Sequence, residues 1–119
     1  MSDTDKVVRF ADMRKFENKG NVLIIDVREP KEIAETGKIG GSINIPLANL
    51  ENALKTLTDD EFNEKYGKPK PALDFPLIFS CKMGGRACKA MDIAIQLGFK
   101  NAKYYKGSWT EWEQKLKEN

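Results

Sequence analysis

The run Val22-Leu-Ile-Ile25 has no polar side chain on either face, and a strand built from it must be buried on both. A parallel sheet between two layers of helices buries strands that way, and the rest of the chain alternates strand and helix signals as that architecture requires. Val7-Val-Arg-Phe10 gives a short β-like entry, and Ala11 to Lys19 follows with Met13 and Phe16 at helical spacing before Asn18-Lys-Gly20 interrupts it. After the Val22 strand, Glu29-Pro30 suits the first turn of a helix running to about Thr36, because proline is tolerated there and acids favour the N-terminal end. Gly37, Gly40 and Gly41 form a loop, and Ser42-Ile-Asn-Ile45 is a brief strand stopped by Pro46. Leu47 to Leu57 is weakly helical, and Thr58-Asp-Asp-Glu61 fits a capping box opening a helix to about Tyr66. Pro69, Pro71 and Pro76 mark a surface loop that delivers the chain to a strand at Leu77. Ala87 to Leu97 carries Cys88, Met91, Ala94 and Ile95 as an apolar face, with Gly98 as its stop. Asn101 to Tyr105 is the last strand. Ser108-Trp-Thr-Glu111 reads as a second capping box, starting a helix that Trp109, Trp112 and Leu116 pin to the core. The expectation is an α/β fold with a central, mostly parallel five-stranded sheet and helices on both faces.

At 119 residues the chain holds one hydrophobic core, so residues 1–119 are expected to form a single domain with its core at about 7–117. No apolar stretch approaches the roughly 18 residues of a membrane span. The polar, partly acidic N-terminus resembles neither a secretory signal nor a transit peptide, so the expected compartment is the cytosol. Twenty basic and eighteen acidic residues are interspersed, which excludes a nucleic-acid footprint. The chain contains no histidine, and Ser-His-Asp, Cys-His and histidine-metal chemistries are thereby excluded. Two cysteines separated by six residues match neither a Cys-x-x-Cys pair nor a zinc spacing.

Chemistry concentrates in Leu77-Ile-Phe-Ser-Cys81-Lys-Met-Gly-Gly-Arg86. A strand delivers Cys81 to a sheet edge, Gly84 and Gly85 let the backbone turn its N–H groups inward, and a helix starts near Arg86. Inward N–H groups and a helix N-terminus make a cradle for negative charge. That field, with Lys82 and Arg86 and no acid inside the loop, favours Cys81 as a thiolate and nucleophile; the alternative is a packing cysteine at a strand end. For the other candidates packing is favoured. Asp26 and Arg28 read as a salt bridge fixing a strand end, Cys88 as buried packing, Tyr104, Tyr105, Trp109 and Trp112 as core or edge residues, and Asp59, Asp60 and Glu61 as helix N-terminal charges.

Four segments occurring in order, Leu23-Ile-Ile-Asp26-Val-Arg28-Glu-Pro30, Gly37-Lys-Ile-Gly-Gly41-Ser-Ile-Asn44-Ile-Pro46, Cys81-Lys-Met-Gly-Gly-Arg86-Ala87, and Leu97-Gly-Phe99 through Gly107 to Trp112, closely resemble a rhodanese domain. The likeness covers roughly Val7 to Trp112 and is nearest to the small, free-standing thiosulfate sulfurtransferases, including the type that passes sulfur to glutathione. The resemblance implies that Cys81 becomes a persulfide. It also implies that the backbone of Lys82, Met83, Gly84, Gly85 and Arg86, together with Arg86 itself, surrounds the sulfane sulfur and an anionic donor, thiosulfate or a persulfide. Acceptors would be glutathione, reduced thioredoxin or cyanide, with no metal or organic cofactor, and a monomer is expected. Phosphatases and arsenate-type reductases on the same scaffold are a rival class, but they carry one more residue between cysteine and arginine. Only Lys82, Met83, Gly84 and Gly85 intervene here, a ring suited to one sulfur atom. A non-catalytic binding module is the other rival, disfavoured by intact Cys81 and Arg86. Many family members carry a histidine where this chain has Lys38.

Overall fold

Leu23–Asp26 (β2) and Leu77–Ser80 (β4) lie side by side in the sheet interior with every residue buried, as apolar runs of this kind demand. The structure, a computed structural model, describes residues 3–118. Val7–Val8 (β1), Ile43–Asn44 (β3) and Ala102–Tyr105 (β5) complete a five-stranded sheet of order β1-β5-β4-β2-β3. Every pairing is parallel, so the sheet is wholly parallel instead of mostly so. Six helices accompany it among the described residues: α1 Phe10–Phe16, α2 Pro30–Thr36, α3 Leu47–Lys55, α4 Asp59–Tyr66, α5 Gly85–Gln96 and α6 Ser108–Lys117.

Strand alternation splits the core in two. Leu23, Ile25, Leu77 and Phe79 face α3, α4 and α5, where Leu50, Leu54, Phe62, Ala90 and Met91 are buried. Ile24 and Ile78 face the opposite way, onto Met13 of α1 and Trp112 of α6. Ala87, Ala90 and Ala94 are fully buried, and their small side chains let α5 lie close to the sheet. The expected apolar face of α5 is shifted around the helix, because Ile95 is 36% exposed and Cys88 half-buried against the core. On α6, Trp112 anchors the helix while Leu116 stays in water.

The Thr58 capping box forms as read: Thr58 Oγ1 accepts the Glu61 N–H at 3.1 Å, and Glu61 Oε1 accepts the Thr58 N–H at 2.9 Å. The second one, at Ser108 and Glu111, does not. Gly107 is the N-cap of α6, and the N–H groups of Trp109 and Thr110 donate to the carbonyls of Cys81 (2.9 Å) and Lys82 (3.0 Å). Those carbonyls satisfy the orphan donors of the first turn, which frees Ser108 and Glu111 for other partners.

Candidate active site

Because all strands run the same way, the residues just after β1, β2, β4 and β5 gather at one edge of the sheet, where ligands bind in such folds. Cys81 follows β4 there and is 1% exposed. The chain then passes Lys82 and Met83, both exposed, and enters α5 through Gly84. Two backbone N–H groups donate to the Cys81 sulfur, Gly84 at 3.0 Å and Ala87 at 3.3 Å. They point the positive end of the helix at Sγ and favour negative charge there. Ala87 lies one residue beyond the span assigned from sequence; it belongs to the cradle because a helical first turn aims several consecutive N–H groups the same way.

The two loop glycines differ. Gly84 has φ +105°, and a Cβ placed on it would strike the carbonyl oxygen of Lys106, so only glycine fits. Gly85 has no positive φ, and a Cβ there would meet nothing within 4 Å.

Ser108 sits under the loop, fully buried and at φ +52°. Its hydroxyl accepts the Cys81 N–H at 3.1 Å and donates to the Tyr105 carbonyl at 2.8 Å, with Cys81 Sγ 3.8 Å away. One hydroxyl proton cannot serve both acceptors, and the shorter contact shows that the carbonyl holds it. Ser108 thus ties the Cys81 backbone to β5. Its capping-box partner Glu111 instead accepts the Tyr105 hydroxyl at 2.7 Å through Oε1; burial, then that carboxylate, hold the phenol far above its ordinary range. Sequence reasoning misses Ser108 as a site residue because serine at a helix start fits the commoner capping role.

Arg86 reaches away from the loop to α2, donating to Glu32 from both terminal nitrogens at 2.8 and 2.9 Å. The Arg86 guanidinium is the main reason the Glu32 carboxyl drops from 4.5 to about 2, helped by the Glu29 N–H and opposed by burial. Nothing in the sequence sets an acid against Arg86, since Glu32 is distant in the chain and only folding brings it near. α2 is itself braced by Arg28. That guanidinium, 1% exposed, donates to both oxygens of Asp26 at 2.8–3.1 Å, to Thr36 Oγ1 at 2.9 Å and to the Gly37 carbonyl at 3.0 Å. It also lies over the Trp109 ring at 5.1 Å. Asp26 and Arg28 are therefore structural, and removal of either partner would strand a buried charge at a cost of roughly 3–5 kcal/mol. Lys38 Nζ donates to the Ser42 carbonyl at 3.0 Å and closes the glycine loop. Among the described residues no group of three or more Cys, Asp and Glu side chains is arranged to hold a metal ion.

The rhodanese-like domain profile matches residues 10–115. A mouse protein named thiosulfate sulfurtransferase/rhodanese-like domain-containing protein 3 is 46% identical over 92% of this chain and 69% of its own length. The human thiosulfate:glutathione sulfurtransferase is 37% identical over 91% of this chain and 93% of its own. A solved human single-domain sulfurtransferase superposes with a TM-score of 0.85 at 35% identity, covering 92% of this chain and 96% of that one. With the cysteine loop, the wholly parallel sheet and these likenesses in agreement, the chain belongs to the rhodanese-like domain family.

Proposed function

We propose that this protein is a thiosulfate sulfurtransferase that carries sulfur on Cys81 and passes it to a low-molecular-weight thiol such as glutathione. The observation that supports this most is the convergence of the Gly84 and Ala87 N–H groups on Cys81 Sγ at the start of α5. In the first half-reaction the Cys81 thiolate attacks the outer sulfur of thiosulfate, the S–S bond of the donor breaks, and sulfite leaves with the bonding electron pair. Cys81 is left as a persulfide anion. In the second, an acceptor thiolate attacks the outer sulfur, the new S–S bond forms on the acceptor, and the Cys81 thiolate returns. Negative charge stays beside the loop throughout, and fixed N–H dipoles stabilise it without reorganising. Lys82, exposed at the mouth, is the cation available to the sulfonate, because Arg86 is already engaged by Glu32.

Intact-mass measurement of the reduced protein after thiosulfate tests this directly. One added sulfur atom is expected in the parent and none in Cys81→Ser, and glutathione should remove it. A parent that gains no sulfur, or a folded Cys81→Ser protein that still turns over, would refute the assignment.

A further inference from the structure

We infer that the cleft between β1, Met83 and α6 is the acceptor subsite, built for a small peptide thiol bearing carboxylates, of which glutathione is the probe. The inference rests on the sulfurtransferase reading and adds to it where the second substrate lies. Val8, Arg9, Met83, Lys106 and Glu111 line a cleft of about 550 Å³, within the roughly 300–1,000 Å³ of small-molecule sites. Met83, 75% exposed, belongs to the loop that holds Cys81, so the cleft reaches that loop, although Cys81 itself, 1% exposed, does not line it.

The strand order sets its charge pattern. Cys81, Lys106 and Arg9 follow β4, β5 and β1, three neighbours in the sheet, and so stand in a row along one edge. At about 4.8 Å per strand, Lys106 is one spacing and Arg9 two spacings, about 10 Å, from the strand that carries Cys81. A tripeptide spans about 10 Å when extended. A peptide with its central thiol at Cys81 reaches about 5 Å to either end, so a carboxylate on one end meets Lys106, one strand spacing away, and the long Arg9 side chain comes to that same end from the second spacing. Among the described residues neither Arg9 nor Lys106 is in an ion pair, and both are exposed. The acid in the cleft, Glu111, matches the single ammonium group of such a peptide, and Val8 and Met83 supply apolar wall. Thiosulfate and cyanide are too small to use these contacts.

The test is an Arg9→Glu/Lys106→Glu double variant assayed with glutathione, glutathione diethyl ester and cyanide as acceptors. The KM for glutathione should rise about tenfold or more, the loss expected when two charge-assisted contacts become repulsive. Assayed at high salt, cyanide turnover and sulfur loading from thiosulfate, which lose only a screened field and no direct contact, should fall several-fold less than the glutathione reaction. In the parent the diethyl ester should have the higher KM of the two peptides, and the double variant should remove that preference. An unchanged KM for glutathione, or equal losses with glutathione and cyanide, would overturn the subsite while leaving the sulfurtransferase reading intact. Failure of the parent to load sulfur at all would overturn both.

Discussion

Replacing Gly84 and Gly85 by alanine, one at a time, should separate two glycines that look equivalent in the sequence. At Gly84 the new methyl group meets the Lys106 carbonyl oxygen, and φ of +105° is a conformation that L-residues rarely adopt. The backbone strain alone is worth roughly 1–3 kcal/mol. In a domain of this size 1 kcal/mol lowers Tm by roughly 4 °C, so a fall of about 4–12 °C is expected. The loop can escape the collision only by moving, and moving takes the Gly84 N–H away from the Cys81 sulfur, now 3.0 Å distant. Loss of one preorganised donor costs on the order of 10²–10³ in the chemical step. Gly85→Ala meets no atom within 4 Å, lies inside α5 and has no positive φ, so it should stabilise by roughly 0.4–1 kcal/mol and leave the rate within about twofold. Thermal unfolding and single-turnover sulfur loading from thiosulfate read both effects. A Gly84→Ala protein with parental Tm and rate would refute the conformational argument. So would a Gly85→Ala protein as damaged as Gly84→Ala, which would show that both glycines serve substrate clearance instead.

Glu32 should give the fold an acid-labile increment. Its folded carboxyl titrates at about 2 against an ordinary 4.5, so its stabilisation is fully present above about 4.5 and is lost as pH falls toward 2. The shift would correspond to about 3 kcal/mol, which water trims to about 1–2 because roughly a third of each partner's side chain is exposed (35% and 31%). Urea unfolding from pH 6 to pH 2 should show the parent losing that amount relative to Glu32→Gln, and parallel curves would show that the Arg86 pair contributes nothing. Ser108→Ala should cost about 1–3 kcal/mol, since it leaves the Cys81 N–H and the Tyr105 carbonyl buried without their partner. It should also slow sulfur loading, and a denaturant midpoint unchanged from the parent would rule out the tie between β5 and Cys81.

Sequence alone determined the class of fold and the place of the cysteine loop. Val22–Ile25 and Leu77–Phe79 are apolar on both faces, a pattern satisfied only between helical layers, and Cys81 followed by glycines at a strand end marks the cradle through local backbone chemistry. The Thr58 cap and the Pro30 helix start were legible for the same reason, being contacts within a few residues. What surrounds the sulfur was decided by tertiary structure. Ser108 and Glu111 carry a capping-box pattern, yet the distant Cys81 and Lys82 carbonyls supply the acceptors for Trp109 and Thr110 in the first turn and release both side chains to β5 and Cys81. Arg86 reads as a free cation until α2 brings Glu32 to it across 54 residues. The requirement for glycine at 84 comes from the Lys106 carbonyl, and the row Cys81, Lys106, Arg9 exists only because β5 lies between β4 and β1. Periodicity and turn chemistry act over a few residues and are written in the local sequence. Which distant groups share one sheet edge depends on strand order, and that is settled by how the whole core packs.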